Sequence, residues 1–302
     1  MRIKYLIIPL IGIFFVVAGC KNKQTKSFAI KADSLTNYQV VTDLPKASAK
    51  EKKEQVSVDT AITEEKCNVI DRYGIPLSTQ LLDTSLLGPA NFAQLYSPDS
   101  ASRLIKSFNK AFYLGVYSAD MVYSMIYDNR SLFYEYYYVV MRLSDDLGIK
   151  ETFTTDMLEK FRENYRSDTV DMIIKNALVK TCRFLDENNQ VSILPFMVVG
   201  SWAEATYLMI GNAIYNQDVS TEIYENIADQ QQTLKKLKTF INDNLLGVDD
   251  YNISVALHKL NSDLDTVSRA YEEIYVSDNI AIDKGSLRKL YEAFRKLKRL
   301  YL

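Results

Sequence analysis

Seven apolar residues near the C-terminal end constrain the fold more than any other feature of the chain. Ile253, Leu257, Leu260, Leu264, Val267, Tyr271 and Ile274 recur in alternating steps of four and three. That spacing puts them all on one stripe of an α-helix running from Asn252 to Tyr275, the seam of a packed bundle. The same period runs through most of the chain upstream. Ser97-Pro98-Asp99 reads as a helix start, with Leu104, Phe108, Phe112, Val116, Ala119 and Tyr123 following at helical spacing and a break at Gly115. Residues 131–147 predict a helix closed by Gly148, and Asp168 opens one striped by Ile174, Leu178, Thr181 and Leu185. Helices are also predicted over 191–214, with Pro195 in its first turn, and over 220–245, closed by Gly247. A short helix around Ser78–Leu87 precedes them all, and Gly285-Ser286 caps a last one over 287–300. No run shows the alternation of a strand. The predicted fold is an all-α multi-helix bundle, a single helical domain over 67–302.

Two stretches of this body resemble each other. "ADMVYSMI" (119–126) and "AEATYLMI" (203–210) share a pattern, "EYY" (135–137) precedes an echo at "EIY" (222–224), and "ALVKTCRFLD" (177–186) precedes "ALHKLNSDLD" (256–265). The preserved order suggests two similar halves, 98–189 and 190–275, from an internal duplication. Amphipathic helices that look alike through composition are the competing explanation.

The N-terminal end carries a different message. Arg2 and Lys4 precede the apolar run Tyr5–Val17, which is shorter than the roughly 20 residues a membrane span needs but fits a secretory signal. The run ends at Val17-Ala18-Gly19-Cys20 and turns polar at once. This tetrapeptide resembles the lipobox of bacterial lipoproteins. The resemblance implies that residues 1–19 are removed as a signal peptide and that Cys20 carries the lipid anchor. Lys21 is not the aspartate associated with inner-membrane retention, and "CKNKQ" lacks the acidic cluster of surface-exported lipoproteins. The resemblance therefore points to the periplasmic face of the outer membrane. "LGVYSADMVYSMIYD" and "VVGSWAEATYLMIGNAI" are in turn similar to stretches of uncharacterised helical lipoproteins of Bacteroidota, over roughly residues 75–275. No activity or site residue comes with that likeness. Residues 20–66 are rich in Lys, Ser, Thr, Gln and Glu without an apolar period, and read as a disordered tether with a span of about 35–40 Å.

Composition narrows the function. The whole chain has a net charge of −2, and loss of Arg2 and Lys4 with the signal brings it to about −4. That argues against general nucleic-acid binding, which wants a basic surface. Besides Cys20 there are Cys67 and Cys182. An oxidising compartment would permit a disulfide between them, although two independent thiols is the plainer reading.

The residues that could carry chemistry are few. Asp120 and Glu204 fall inside apolar helices at matching places of the two similar stretches. Together they could bind a metal or share a proton; separately they could each take hydrogen bonds from tyrosines, with Tyr123 and Tyr207 one turn away. His258 is the one histidine and lies beside the seam, as a plain surface residue. No nucleophile elbow, phosphate loop or Cys-x-x-Cys pair occurs, so no catalytic residue, metal ligand set or cofactor is assigned. Tyr117, Tyr123, Trp202 and Tyr207 are candidates for lining a ligand cleft, and "LFYEYYYVV" (132–140) adds aromatics that core packing explains equally well. The apolar helix 191–214 is long enough to raise the question of a membrane span, against which Glu204 near its middle argues. The last helix has an apolar face at Leu287, Leu290, Tyr291, Phe294, Leu297 and Tyr301, suited to docking on the body or, alternatively, to lying on an anionic membrane.

The expected function is that of a cell-envelope lipoprotein whose helical body binds a protein partner. A carrier of a small apolar or glycan ligand and a carboxylate-based hydrolase are the alternatives.

Overall fold

The structure, a computed structural model, describes residues 65–153, 158–161, 168–216, 219–276, 279–280 and 282–302. The expected signal peptide, Cys20 and nearly all of the expected tether lie outside the described residues. Helices dominate, as their periodicity predicts. The long ones are labelled α1 (Ser107–Ile126), α2 (Arg130–Asp146), α3 (Asp168–Glu187), α4 (Leu194–Tyr215), α5 (Glu222–Leu245), α6 (Tyr251–Glu272) and α7 (Lys284–Arg299). The described chain is an all-α multi-helix bundle. Its one departure is a ladder of two residues on each side, Tyr275–Val276 against Asn279–Ile280.

The centre of the bundle is the α1–α4 pair. α4 is apolar all round, so no amphipathic face exists to expose, and it is surrounded by other elements. Val191–Tyr215 is long and apolar enough to cross a membrane, but 94% of its most apolar stretch is buried inside the body, as a core helix requires. α2 packs on α1, α5 packs on α4 and α6, and α7 lies against both α4 and α6. The buried face of α7 contains Leu287, Leu290, Tyr291, Phe294, Leu297 and Tyr301. Its apolar side is therefore consumed by docking.

Close approach at the centre depends on two glycines. A Cβ on Gly115 would collide with the Met197 carbonyl oxygen, and a Cβ on Gly200 would collide with that of Phe112. Both obstacles are backbone and cannot swing aside. The two contacts are reciprocal, since each glycine meets the residue three positions before the other. The similar stretches 119–126 and 203–210 lie on these same two helices, and their downstream echoes lie on α2 and α5 and on α3 and α6.

Several expected boundaries move for identifiable reasons. Ser97-Pro98-Asp99 opens a 3-10 segment, Pro98–Arg103, rather than the long helix; Leu104 is extended and α1 begins only at Ser107. Gly115 does not break α1 but lets α4 approach. The short helix around 78–87 is two single turns, Ser78–Leu81 and Thr84–Leu87, because Asp83 takes up an extended backbone to cap the second through Ser85 N. The seam helix ends at Glu272, so Ile274 is buried beyond its last turn. Asp283, not Gly285-Ser286, caps α7 by accepting from Ser286 N. Gly148 (φ 73°) and Gly247 (φ 83°) hold the left-handed conformations that follow α2 and α5.

Cys67 and Cys182 are joined by a disulfide, tying the start of the described body to α3 across 115 residues of sequence. The plainer reading, two independent thiols, is thereby corrected.

Candidate functional site

Asp120 and Glu204 project from α1 and α4 toward each other, just beyond the glycine crossing. Both are fully buried, and a hydrogen bond links their carboxyl groups. A third group completes the cluster. Lys298, in the last turn of α7, is 2% exposed and donates from Nζ to Glu204 Oε2 at 2.5 Å. Its ammonium also lies 3.4 Å from the centre of the Tyr207 ring and 5.7 Å from that of Tyr96. Asp120 Oδ2 accepts from Tyr96 N at 3.2 Å.

The charges can be assigned from this geometry. Burial is the largest influence on Asp120 and raises its carboxyl well above the ordinary value; the negative charge of Glu204 adds to the effect. Burial also raises Glu204, but Lys298 opposes it, and so does the hydrogen bond with Asp120. Asp120 is thus the group that keeps its proton. Asp120 Oδ1 and Glu204 Oε1 are buried with no other hydrogen-bond partner among the described residues, and a proton kept on the Asp120 carboxyl and shared with Glu204 relieves the repulsion between them. The cluster then reads as neutral acid, carboxylate and ammonium, with no net charge left in a low-dielectric interior.

Aromatic hydroxyls surround the cluster and fix its walls. Tyr113 OH donates to the Lys298 carbonyl at 2.9 Å, which holds the end of α7 against α1. Tyr136 OH donates to the Tyr96 carbonyl at 3.0 Å, so the segment that supplies the Asp120 donor is pinned from its other side. Burial pushes the hydroxyls of Tyr113, Tyr136 and Tyr207 far up, so all three stay neutral, Tyr113 and Tyr136 as donors and Tyr207 as an acceptor.

The expected partners of the two acids are not their actual ones. Tyr123 OH, one turn from Asp120, accepts from Asn91 N at 2.8 Å and from Asn212 Nδ2 at 3.1 Å. Tyr207 OH accepts from Tyr291 OH at 2.5 Å while the two rings stack. The acids converge on each other and on a lysine. The carboxylate-hydrolase alternative needs them in an open cleft, whereas the ammonium occupies the place a cation or substrate would take. Lys298 was missed because it sits among five other cations in "SLRKLYEAFRKLKRLYL". A signal was present: it follows Tyr291 by seven residues and Phe294 by four, which places it on the buried stripe.

The four cleft aromatics are likewise dispersed. Tyr117 OH donates to the Ser97 carbonyl at 2.9 Å, and Trp202 Nε1 donates to Gln230 Oε1 at 3.0 Å. Of the four, Trp202 borders a cavity of ≈110 Å³ whose walls also include Leu114, Met121, Ile174 and Met197. Ordinary ligand pockets hold about 300–1,000 Å³. Tyr117, Tyr123 and Tyr207 do not border it. His258 is exposed. Among the described residues no three His, Cys, Asp or Glu side chains are grouped as a metal site.

What the body offers to solvent lies elsewhere. Tyr251 (78% exposed) and Val255, with Phe108 and Ile253, line a groove of ≈550 Å³ at the N-terminal ends of α1 and α6, and Ile105 beside it is 87% exposed.

No family model matches the chain, and no match is found among curated proteins or solved structures.

Proposed function

We propose that the chain is a lipid-anchored protein of the bacterial cell envelope, on the periplasmic face of the outer membrane, whose helical body binds or scaffolds a protein partner, with no catalytic residues identified. The observation that carries partner binding is the groove at the α1 and α6 N-terminal ends, where exposed Tyr251 and Val255 stand among the polar Lys106, Asp250, Asn252 and Lys259. Side chains as large as Tyr251 and Ile105 gain by being covered. The burial of Asp120, Glu204 and Lys298 and the pairing of Lys298 with Glu204 support a structural role for that cluster.

Two features support the compartment. Val17-Ala18-Gly19-Cys20 has the form of a lipidation site at the end of a secretory signal. The Cys67–Cys182 disulfide fits an oxidising compartment, which an exported protein enters and a cytosolic one does not.

Mass spectrometry of the protein from a Gram-negative host tests the anchor: the mature chain should begin at Cys20 and carry acyl chains. A chain retaining Met1, or starting at an unmodified Cys20, overturns it. A photo-crosslinking residue at Val255, compared with one at the remote exposed Lys235, tests the groove. A discrete adduct from Val255 only is the expected result; identical patterns from both positions reject the groove as the partner surface.

A further inference from the structure

The outer side of α7 presents a second surface. A groove of ≈830 Å³ runs between the C-terminal half of α6 and α7, floored by Ala270 and Ala293. Its walls carry six cations, Arg269, Arg288, Lys289, Arg295, Lys296 and Arg299, against two acids, Glu273 and Glu292. The acids are already taken: Lys289 Nζ donates to Glu273 at 2.6 Å, and Arg295 pairs with Glu292. Among the described residues Arg288, Lys296 and Arg299 enter no ion pair, and all three are exposed. Arg269 is exposed too, and its hydrogen bonds go to the neutral Asp265 carbonyl and Thr266 hydroxyl.

This concentration of charge is out of keeping with the chain as a whole, which is net acidic. Helix stability explains part of it. Lys296 and Arg299 lie in the last turn of α7, where the helix dipole favours cations. It does not explain Arg288, which lies at the opposite end of α7. Nor is the cationic side one half of an inserting amphipathic helix, because the apolar half of α7 is buried against α4 and α6. A surface with this excess of positive charge suits an anionic partner held by electrostatics.

We infer that the α6–α7 groove docks the body onto anionic phospholipid headgroups of the membrane to which it is tethered. The inference rests on the lipid anchor proposed above, which keeps the body within a tether's length of such a surface. Phosphates would be met by the guanidinium groups of Arg269, Arg288 and Arg299, whose planar donors suit them. Each cation near an anionic leaflet strengthens attachment by roughly fivefold, and salt weakens the attraction.

The test uses the full lipidated chain reconstituted in vesicles of phosphatidylcholine, with or without phosphatidylglycerol. The readout is the rate of lysine acetylation at Lys296, with Lys235 as an exposed control. Lys296 should react at least fivefold more slowly on the anionic vesicles at low salt, Lys235 equally on both, and the difference should close in high salt. Arg288→Gln combined with Arg299→Gln should abolish the difference, whereas Arg288→Lys with Arg299→Lys, which keeps the charge, should preserve it. Equal Lys296 rates on both vesicles overturn the inference. So does protection by soluble polyglutamate without protection by anionic vesicles, which would make the groove a site for an acidic protein segment. Failure of the anchor is a separate result: the protein then does not float with neutral vesicles at all.

Discussion

Lys298 and Arg299 are neighbours in sequence and opposites in physics. Lys298 is 2% exposed, closed in by Tyr96, Tyr113 and Tyr207, and bonded to a buried carboxylate; Arg299 is exposed and enters no ion pair among the described residues. A single helix, α7, thus uses positive charge in two ways. On its inner side one ammonium neutralises Glu204 and locks the last helix to the central pair. On its outer side cations remain available to whatever approaches. The contrast teaches that a run such as "RKLKR" cannot be treated as one feature. A rotation of about 100° per residue separates a buried structural charge from an exposed one.

The strongest way to break the comparison is to remove the inner charge. Lys298→Met keeps the apolar length of the side chain but leaves Glu204 buried without its counter-ion. It should cost about 3–5 kcal/mol, read as a lower midpoint in urea unfolding with unchanged slope. A loss below about 1 kcal/mol would mean that Glu204 simply takes up a proton, and that the ion pair contributes little to holding α7.

How far this arrangement was legible beforehand follows from the same residues. The helices were legible because their stripes repeat at helical period, and so was the docking of α7 through Leu290, Phe294 and Leu297. Asp120 and Glu204 stood out because a carboxylate within an apolar helix is costly wherever it goes. Their mutual contact was not legible. It depends on the α1–α4 crossing, and Gly115 reads as a helix break until the Met197 carbonyl opposite it is seen. The role of Lys298 was hidden for a related reason: a lysine on a cationic helix looks solvated unless the register is followed through Tyr291 and Phe294. The disulfide was open in the sequence: an oxidising compartment permits it, but nothing in a separation of 115 residues brings Cys67 to Cys182.

The inner cluster itself contains a sharper contrast. Asp120 holds a proton and Glu204 does not, so their amide variants should behave differently. Glu204→Gln strands the Lys298 ammonium and should cost roughly 3 kcal/mol at neutral pH. Asp120→Asn substitutes an N–H donor for the acid's O–H and keeps an acceptor for Tyr96 N. The folded pKa of Asp120 is raised, so the folded state binds a proton that the unfolded chain releases above the ordinary value of 3.8. Its contribution is complete below pH 3.8 and is lost as pH rises through the folded value. The Asp120→Asn chain escapes that loss. It should be more stable than the parent by about 1 kcal/mol at neutral pH, with the advantage shrinking as pH falls toward 3.8. Melting temperatures of the parent and both variants across pH 4–8, a range chosen about the ordinary carboxylate values, decide the matter. An advantage that grows on acidification would place the proton on Glu204 instead.

The smallest effects should come from the outer side, and their smallness is the point. Arg288→Gln and Arg299→Gln remove exposed charges with no ion-pair partner among the described residues, so each should change stability by no more than ~0.5 kcal/mol. They should still differ in sign. Arg299 lies at the C-terminus of α7, where a cation gains a few tenths of a kcal/mol from about the last turn of the dipole, so its loss should be slightly destabilising and that effect should fade in salt. Arg288 is remote from that end and close to Lys289, so its removal should be neutral or slightly stabilising. Urea midpoints at low and high salt separate the two. If either substitution instead cost as much as Lys298→Met, the outer cations would be part of the fold's own framework, and the division between the two sides of α7 would fail.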